Sequence, residues 1–201
     1  MEITAEMVKS LREITGAGMM ECKRALQEAS GDAEQAKKIL RAHGAQVAEK
    51  RAGREAKQGV VEAYIHAGGR IGAMVEINCE TDFVARTDEF KLLARDIAMQ
   101  IAAMNPLVIA REELPANLVE NEKNNFREEA KGAGKTEQDT EKTAEGRLEK
   151  YFQEVVLLEQ AFIKDPQRTV KDLIMDMTAK TGENVSIRRF QRFELGVDGA
   201  K

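Results

Sequence analysis

Tryptophan is absent from this chain, and aromatic residues make up only 4% of it, two tyrosines and seven phenylalanines among 201 residues. Any core must therefore be aliphatic, built from Ala, Val, Ile, Leu and Met, and each aromatic position is informative. The two cysteines, Cys22 and Cys79, lie far apart without a partner pattern. That excludes a disulfide-stapled scaffold and points to a reducing compartment. The two histidines, His43 and His66, are isolated from each other and from the cysteines, so neither a metal site nor a Cys–His catalytic arrangement is expected. No apolar run approaches the roughly 18 residues of a membrane span. The N-terminal MEITAEMVKS lacks the apolar stretch of a signal peptide. The expectation is a cytoplasmic protein without membrane association. A formal net charge of −4 argues against a general nucleic-acid binder, which is normally basic.

What is present is a helix-rich pattern, with 42% apolar and 33% charged residues. Residues 3–43 predict three short helices. Thr4 caps the first, with Val8, Leu11 and Ile14 on one stripe, and Thr15-Gly16-Ala17-Gly18 ends it. Met19, Met20, Cys22, Leu26 and Ala29 mark the second. Asp32 with Gln35 resembles a capping box for the third, which carries Ala36, Ile39 and Leu40 inward and stops at His43-Gly44. The following AQVAEKRAGREAKQG is charged and reads as a solvated helix or linker, so the domain boundary belongs there. Residues 1–54 are expected to form a small helical module, and 55–201 a larger α+β domain.

That larger domain opens with a hairpin. Val61, Ala63 and Ile65 alternate with polar neighbours, as do Ile71, Ala73, Val75, Ile77 and Cys79. A three-residue loop, Ala67-Gly68-Gly69, would pair Ile65 with Ile71 and keep both apolar sets on one side. Thr87 caps a helix carrying Phe90, Leu93, Ala94, Ile97, Ile101 and Met104. LVIA (107–110) is a short strand candidate. A polar helix is expected over about 116–131, a loop over 132–140, and a longer helix over about 141–163, broken at Asp165-Pro166. A helix over about 169–180 and a final strand, VSIRRFQRFEL (185–195), complete an α+β fold with an antiparallel sheet and flanking helices.

Four motifs need weighing. Gly132-Ala-Gly-Lys135-Thr136 matches the tail of a phosphate-binding loop, but Glu129 occupies the first glycine position and no buried strand precedes it, so a surface turn is expected. Glu80 with Asp82 reads as a solvated pair of acids rather than a catalytic one, and no enzyme site is expected. Arg188, Arg189 and Arg192 interleave with Phe190 and Phe193. That suits an RNA-binding strand, although a half-exposed structural strand fits the acidic total better. The stretch NCETDFVART (78–87) places Phe83 in a short polar connection. Residue type alone favours Phe83 turning inward to plug the core, the other reading being an exposed aromatic anchor for a partner.

Longer stretches bear on that choice. LREITGAGMMECKRAL, YIHAGGRIGAMVEINCETDFVART, EGRLEKYFQEVVLLEQAFIKDPQRTV and RRFQRFELG resemble, in this order, the signature segments of the bacterial elongation factor Ts family, across most of residues 5–196. The resemblance implies a three-helix, ubiquitin-associated-like N-terminal module followed by a core domain. It implies a guanine nucleotide exchange factor for elongation factor Tu, with no cofactor and no catalytic residues of its own. Contacts with that partner would fall to Arg12, Met19 and Met20 on the module and to Thr81, Asp82, Phe83 and Val84 in the loop. Long members carry a second, degenerate copy of the core half, for which there is no room between Met104 and Leu114-Pro115. The resemblance is to the short form, and a homodimer is implied; the final strand is expected as its interface, since an edge strand offers unpaired backbone groups. The alternative is an RNA-associated translation protein that binds through the basic strand.

Overall fold

The computed structural model describes residues 3–134 and 136–197. In chain order the elements are α1 (Ala5–Thr15), α2 (Met19–Glu28), α3 (Ala33–Arg51), β1 (Gln58–Ile65), β2 (Ile71–Cys79), α4 (Asp82–Ala85), α5 (Asp88–Met104), α6 (Ala116–Gly132), α7 (Glu137–Val155), β3 (Ala161–Phe162), β4 (Asp165–Thr169), α8 (Val170–Thr181) and β5 (Ser186–Glu194). Helices and antiparallel strands together make the expected α+β class. The chain divides into two compact units, Met1–Val61 with Glu76–Ala94 and Asp172–Arg188, and Glu62–Val75 with Arg95–Lys171 and Arg189–Lys201.

In the first unit, α1 starts where Thr4 Oγ1 accepts the Met7 N–H at 3.2 Å. It ends at Gly16, whose φ of +69° lets its N–H reach the Arg12 carbonyl at 2.7 Å. The Asp32 carboxylate accepts the N–H groups of Glu34 and Gln35 at the head of α3. The three helices close on Val8, Leu11, Cys22, Ala25, Leu26, Ala29 and Ala36, with Ile39 and Leu40 half-buried. Two expectations fail here. Ile14, assigned to the inner stripe, is exposed. Gly44 does not end α3, which runs on to Arg51. Gly44 is buried against Ala179 of α8, where an added Cβ would lie 3.4 Å from that side chain. Here the glycine serves close packing rather than a cap.

The three-stranded sheet has the order β1-β2-β5. The hairpin closes through His66 N–H to the Ile71 carbonyl at 2.8 Å, with Gly69 N–H on the His66 carbonyl. Its loop is thus longer than the three residues expected. Ile65 lies over Gly72, not beside Ile71; a Cβ on Gly72 would meet Ile65 Cδ1 at 2.6 Å. The apolar set of β1 therefore shares a face with Gly72 and Met74, while Ala73, Val75, Ile77 and Cys79 point the other way and are buried. Val61, Ala63 and Ile65, expected on the same side as Ile71, Ala73 and Val75, lie on the other side and are exposed.

In the second unit, α6 and α7 pack together with ion pairs between them. Lys123 and Arg127 reach Glu141 at 2.8 and 2.7 Å, and Arg147 reaches Glu129. α7 begins at Glu137, capped by Thr136, within the expected loop. It ends at Val155, well before 163. Gln160, fully buried, donates its amide to the Glu154 carbonyl at 2.7 Å and so satisfies the frayed end. The β3–β4 hairpin then occupies residues read as helix and breaker. LVIA is no strand, and only Val108 bridges, to Val156. Among the described residues no helix is long and apolar enough to cross a membrane.

Candidate partner-binding site

The NCETDFVART stretch leaves β2 and makes one helical turn, α4. Thr81 caps it, accepting the Val84 N–H at 3.4 Å. Val84 and Ala85 are buried and fill the inward positions. A single turn offers few inward positions, so Phe83 is left outside and is 78% exposed. The inward reading of Phe83, favoured by residue type, is overturned. Asp82 is also exposed and pairs with Arg86 at 2.7 Å, a surface ion pair of little energetic weight. Val84, grouped with the contact residues, has its side chain in the core and anchors the turn.

The base of the turn is held by two acids. The Glu183 carboxylate accepts the N–H groups of Glu80 and Thr81 on one oxygen, at 3.1 and 3.0 Å, and the Thr81 hydroxyl on the other at 2.6 Å. The Glu80 carboxylate in turn accepts the Asn184 N–H at 2.7 Å and lies 3.4 Å from Arg54. That backbone N–H, with Arg54 and Arg51 nearby, holds the Glu80 carboxyl below its ordinary range. Asn184 also donates its side-chain amide to the Arg54 carbonyl at 2.7 Å. The buried Cys79 thiol donates to the Thr81 carbonyl at 3.1 Å. Burial and then the Glu183 charge push this thiol up to about 11, so it is an inert structural group.

The other expected contact residues sit at the α1–α2 turn. Met19 and Met20 are exposed, Met20 by 68%, with Ile14 and Arg12 also exposed nearby in sequence. Lys180 of α8 packs against this turn, since a Cβ on Gly16 would lie 3.4 Å from its Nζ. The same ammonium bonds Glu89 of α5 at 2.6 Å. The segment 180–184 thus touches both the methionine-bearing turn and the Phe83 turn, within one unit. Glu183 and Lys180 escaped the sequence reading because their partners lie roughly a hundred residues or more away, and no local motif marks them.

The basic strand is less available than its sequence suggests. Arg192 donates to the Ala102 carbonyl at 3.0 Å and to Glu194 at 2.7 Å. That places Arg192 on the α5 side of the sheet and Phe193, which is 65% exposed, on the side of Met74 and Ile65. Arg188 is exposed. Lys135 of the phosphate-loop look-alike lies outside the described residues; its neighbour Thr136 is the cap of α7. Among the described residues no group of three or more His, Cys, Asp or Glu is placed to hold a metal ion.

The family described as Elongation factor TS matches residues 3–197. The chain belongs to the elongation factor Ts family. Elongation factor Ts of Carboxydothermus hydrogenoformans is 62% identical over 99% of this chain and 92% of its own length. Elongation factor Ts of Heliobacterium modesticaldum is 57% identical over 99% and 93%, and that of Thermotoga petrophila 55% over 98% and 98%. The chain thus spans nearly the whole length of these elongation factor Ts proteins. Membership in the elongation factor Ts family gives the chain a role in translation elongation.

Proposed function

We propose that this chain is a guanine nucleotide exchange factor that binds elongation factor Tu carrying GDP and promotes GDP release. The observation that supports this most is the exposure of Phe83 on a turn whose backbone is clamped and whose neighbours are buried. An aromatic held out in this way gives a partner a rigid, low-entropy anchor. Thr81 and Val84 hold the turn in shape, Asp82 and Phe83 meet the partner, and Arg12, Met19 and Met20 form a second contact. Paired methionines suit an adaptable apolar surface.

The physical content of exchange is coupling. Mg²⁺ in the partner's nucleotide site needs near-ideal octahedral geometry, and a wedge that disturbs its surroundings weakens metal and GDP together. Bound exchange factor lowers nucleotide affinity by some factor, and nucleotide must lower exchange-factor affinity by the same factor. The chain itself needs no metal, nucleotide or catalytic group for this. Residues 1–54 act as the ubiquitin-associated-like module and 55–201 as the core, in the cytoplasm.

The chain also acts as a homodimer. Ile65, Met74 and Phe193 line one exposed face of the sheet in the second unit, and exposed Leu195 follows β5. Exposed apolar side chains gathered on one face suit a covering partner surface. RNA binding through β5 is disfavoured because the Arg192 guanidinium is already spent on Ala102 and Glu194. The test is to mix the protein with elongation factor Tu loaded with fluorescent GDP, in excess unlabelled GDP. The expected result is release accelerated in proportion to protein added, up to saturation; unchanged release would remove this reading.

A further inference from the structure

We propose that Glu183 is a positioning residue for exchange, acting through the Phe83 turn; this rests on the exchange reading above. Within residues 78–87, Thr81 caps α4 and buried Val84 and Ala85 anchor it, but these contacts alone leave the direction of the Thr81 backbone to be set from outside. The turn has only one helical turn of backbone bonding, its Asp82–Arg86 pair is solvated, and Phe83 makes no use of the core. The largest set of bonds that fixes this direction comes from the chain after α8. A carboxylate is an acceptor-only group, and Glu183 meets three donors, the N–H groups of Glu80 and Thr81 and the Thr81 hydroxyl. Two consecutive amides and a hydroxyl converging on one side chain define both the position and the direction of the residue that caps α4. Bonds to an ionised acceptor are stronger than neutral ones, so the arrangement resists the load a wedge meets when it enters a partner.

The same hydroxyl that donates to Glu183 accepts the Val84 N–H. The clamp and the cap therefore share one atom, and loss of the carboxylate frees the Thr81 rotamer on which α4 depends. Glu183 itself is anchored by its N–H on Thr181 Oγ1, whose hydroxyl bonds the Met177 carbonyl inside α8. A path of direct contacts thus runs from the end of α8 to the tip of the wedge. Preorganisation of this kind lowers the cost of reaching the bound geometry without touching the partner.

The experiment compares Glu183→Ala, Glu183→Gln, Phe83→Ala and the Phe83→Ala/Glu183→Ala pair in the fluorescent-GDP release assay, over a range of protein concentrations. Glu183→Ala is expected to lower the saturating release rate about tenfold, the scale of a lost charged hydrogen bond. Its half-saturating concentration should stay within about twofold, because the methionine contact is untouched. Glu183→Gln keeps an acceptor for the two amides and should recover part of the rate. The double variant should be no slower than Phe83→Ala alone, since both act through one element. A Glu183→Ala protein with the native rate, or a double variant slower by the product of the two effects, overturns the proposal. If the native protein does not accelerate release at all, the exchange reading fails on its own. The clamp is then judged by amide exchange in the free protein. Glu80 and Thr81 should exchange at least about tenfold faster in Glu183→Ala, with Glu183→Gln between it and the native protein, and unchanged protection in Glu183→Ala overturns it.

Discussion

Glu183 and Thr81 lie 102 residues apart and share two hydrogen bonds, 3.0 Å from the Thr81 N–H and 2.6 Å from its hydroxyl. A contact of such sequence separation explains how a polar connection without Pro or Gly can present an aromatic residue. The turn is held from outside as well as from within. Its own residues supply the cap, Thr81, the plug, Val84 with Ala85, and the exposed group, Phe83.

Phe83 and Phe90 are seven positions apart and should respond in opposite ways to truncation. Phe90 is fully buried and Phe83 is 78% exposed. Phe90→Ala is expected to cost about 3–5 kcal/mol of unfolding free energy, the range for a large-to-small core change. Phe83→Ala should stay within about 0.5 kcal/mol of the native protein, as an exposed substitution does. Denaturant unfolding of both variants checks this, and a large loss for Phe83→Ala would return that ring to a structural role.

Gly59 has a φ of +148°, and a Cβ there would sit 2.1 Å from the Ile77 carbonyl oxygen. Backbone cannot give way as a flexible side chain can. Gly59→Ala should therefore destabilise by about 3 kcal/mol or more, at the upper end of overpacking costs. Gly68→Ala in the hairpin loop should cost less, since no atom lies within 4 Å of its Cβ position and only the positive φ of +91° is strained. Equal midpoints in urea for the two variants would contradict this ranking.

Hydrogen bonds from Arg127, then Lys123, hold the Glu141 carboxyl down at about 2. A depressed carboxyl contributes its stabilisation fully above the ordinary glutamate value near 4.3 and loses it as pH falls through the folded value. The α6–α7 pair should therefore loosen only between about pH 4.3 and 2 on this account. Arg127→Met should move the Glu141 midpoint upward in an NMR carboxyl titration. A midpoint that does not move would mean that Arg127 does not set it.

Ile65 and Phe193 are exposed on the same face of the sheet in the second unit. Sedimentation equilibrium at micromolar concentration should give a dimer for the native chain and a monomer for Ile65→Asp and Phe193→Asp, if that face is the interface. A native monomer would remove the homodimer from the account, and dimeric variants would move the interface elsewhere.

Helix caps were the most legible part of the sequence, because they are local. Thr4, Asp32 and Thr87 all act where their residue types place them. Apolar spacing likewise placed Phe90, Ile97 and Ile101 inward. It failed for β1, where alternation shows which residues share a face but not which face meets the core. Register there depends on Gly72 making room for Ile65, a pairwise fact. α3 overran Gly44 because a glycine that allows close packing and a glycine that caps look alike in sequence. The β3–β4 hairpin was hidden by the helical spacing that precedes it. At the candidate site, family likeness singled out the loop and Phe83, but the Glu183 clamp follows only from long-range contacts.

The most direct measurement of the central claim is the rate of fluorescent-GDP release from elongation factor Tu with the native chain and with folded Phe83→Ala. An exposed, clamped wedge predicts fast release with the native protein and release near the spontaneous rate with the variant. Equal acceleration by both would contradict the role given to Phe83 and leave it a passive surface residue.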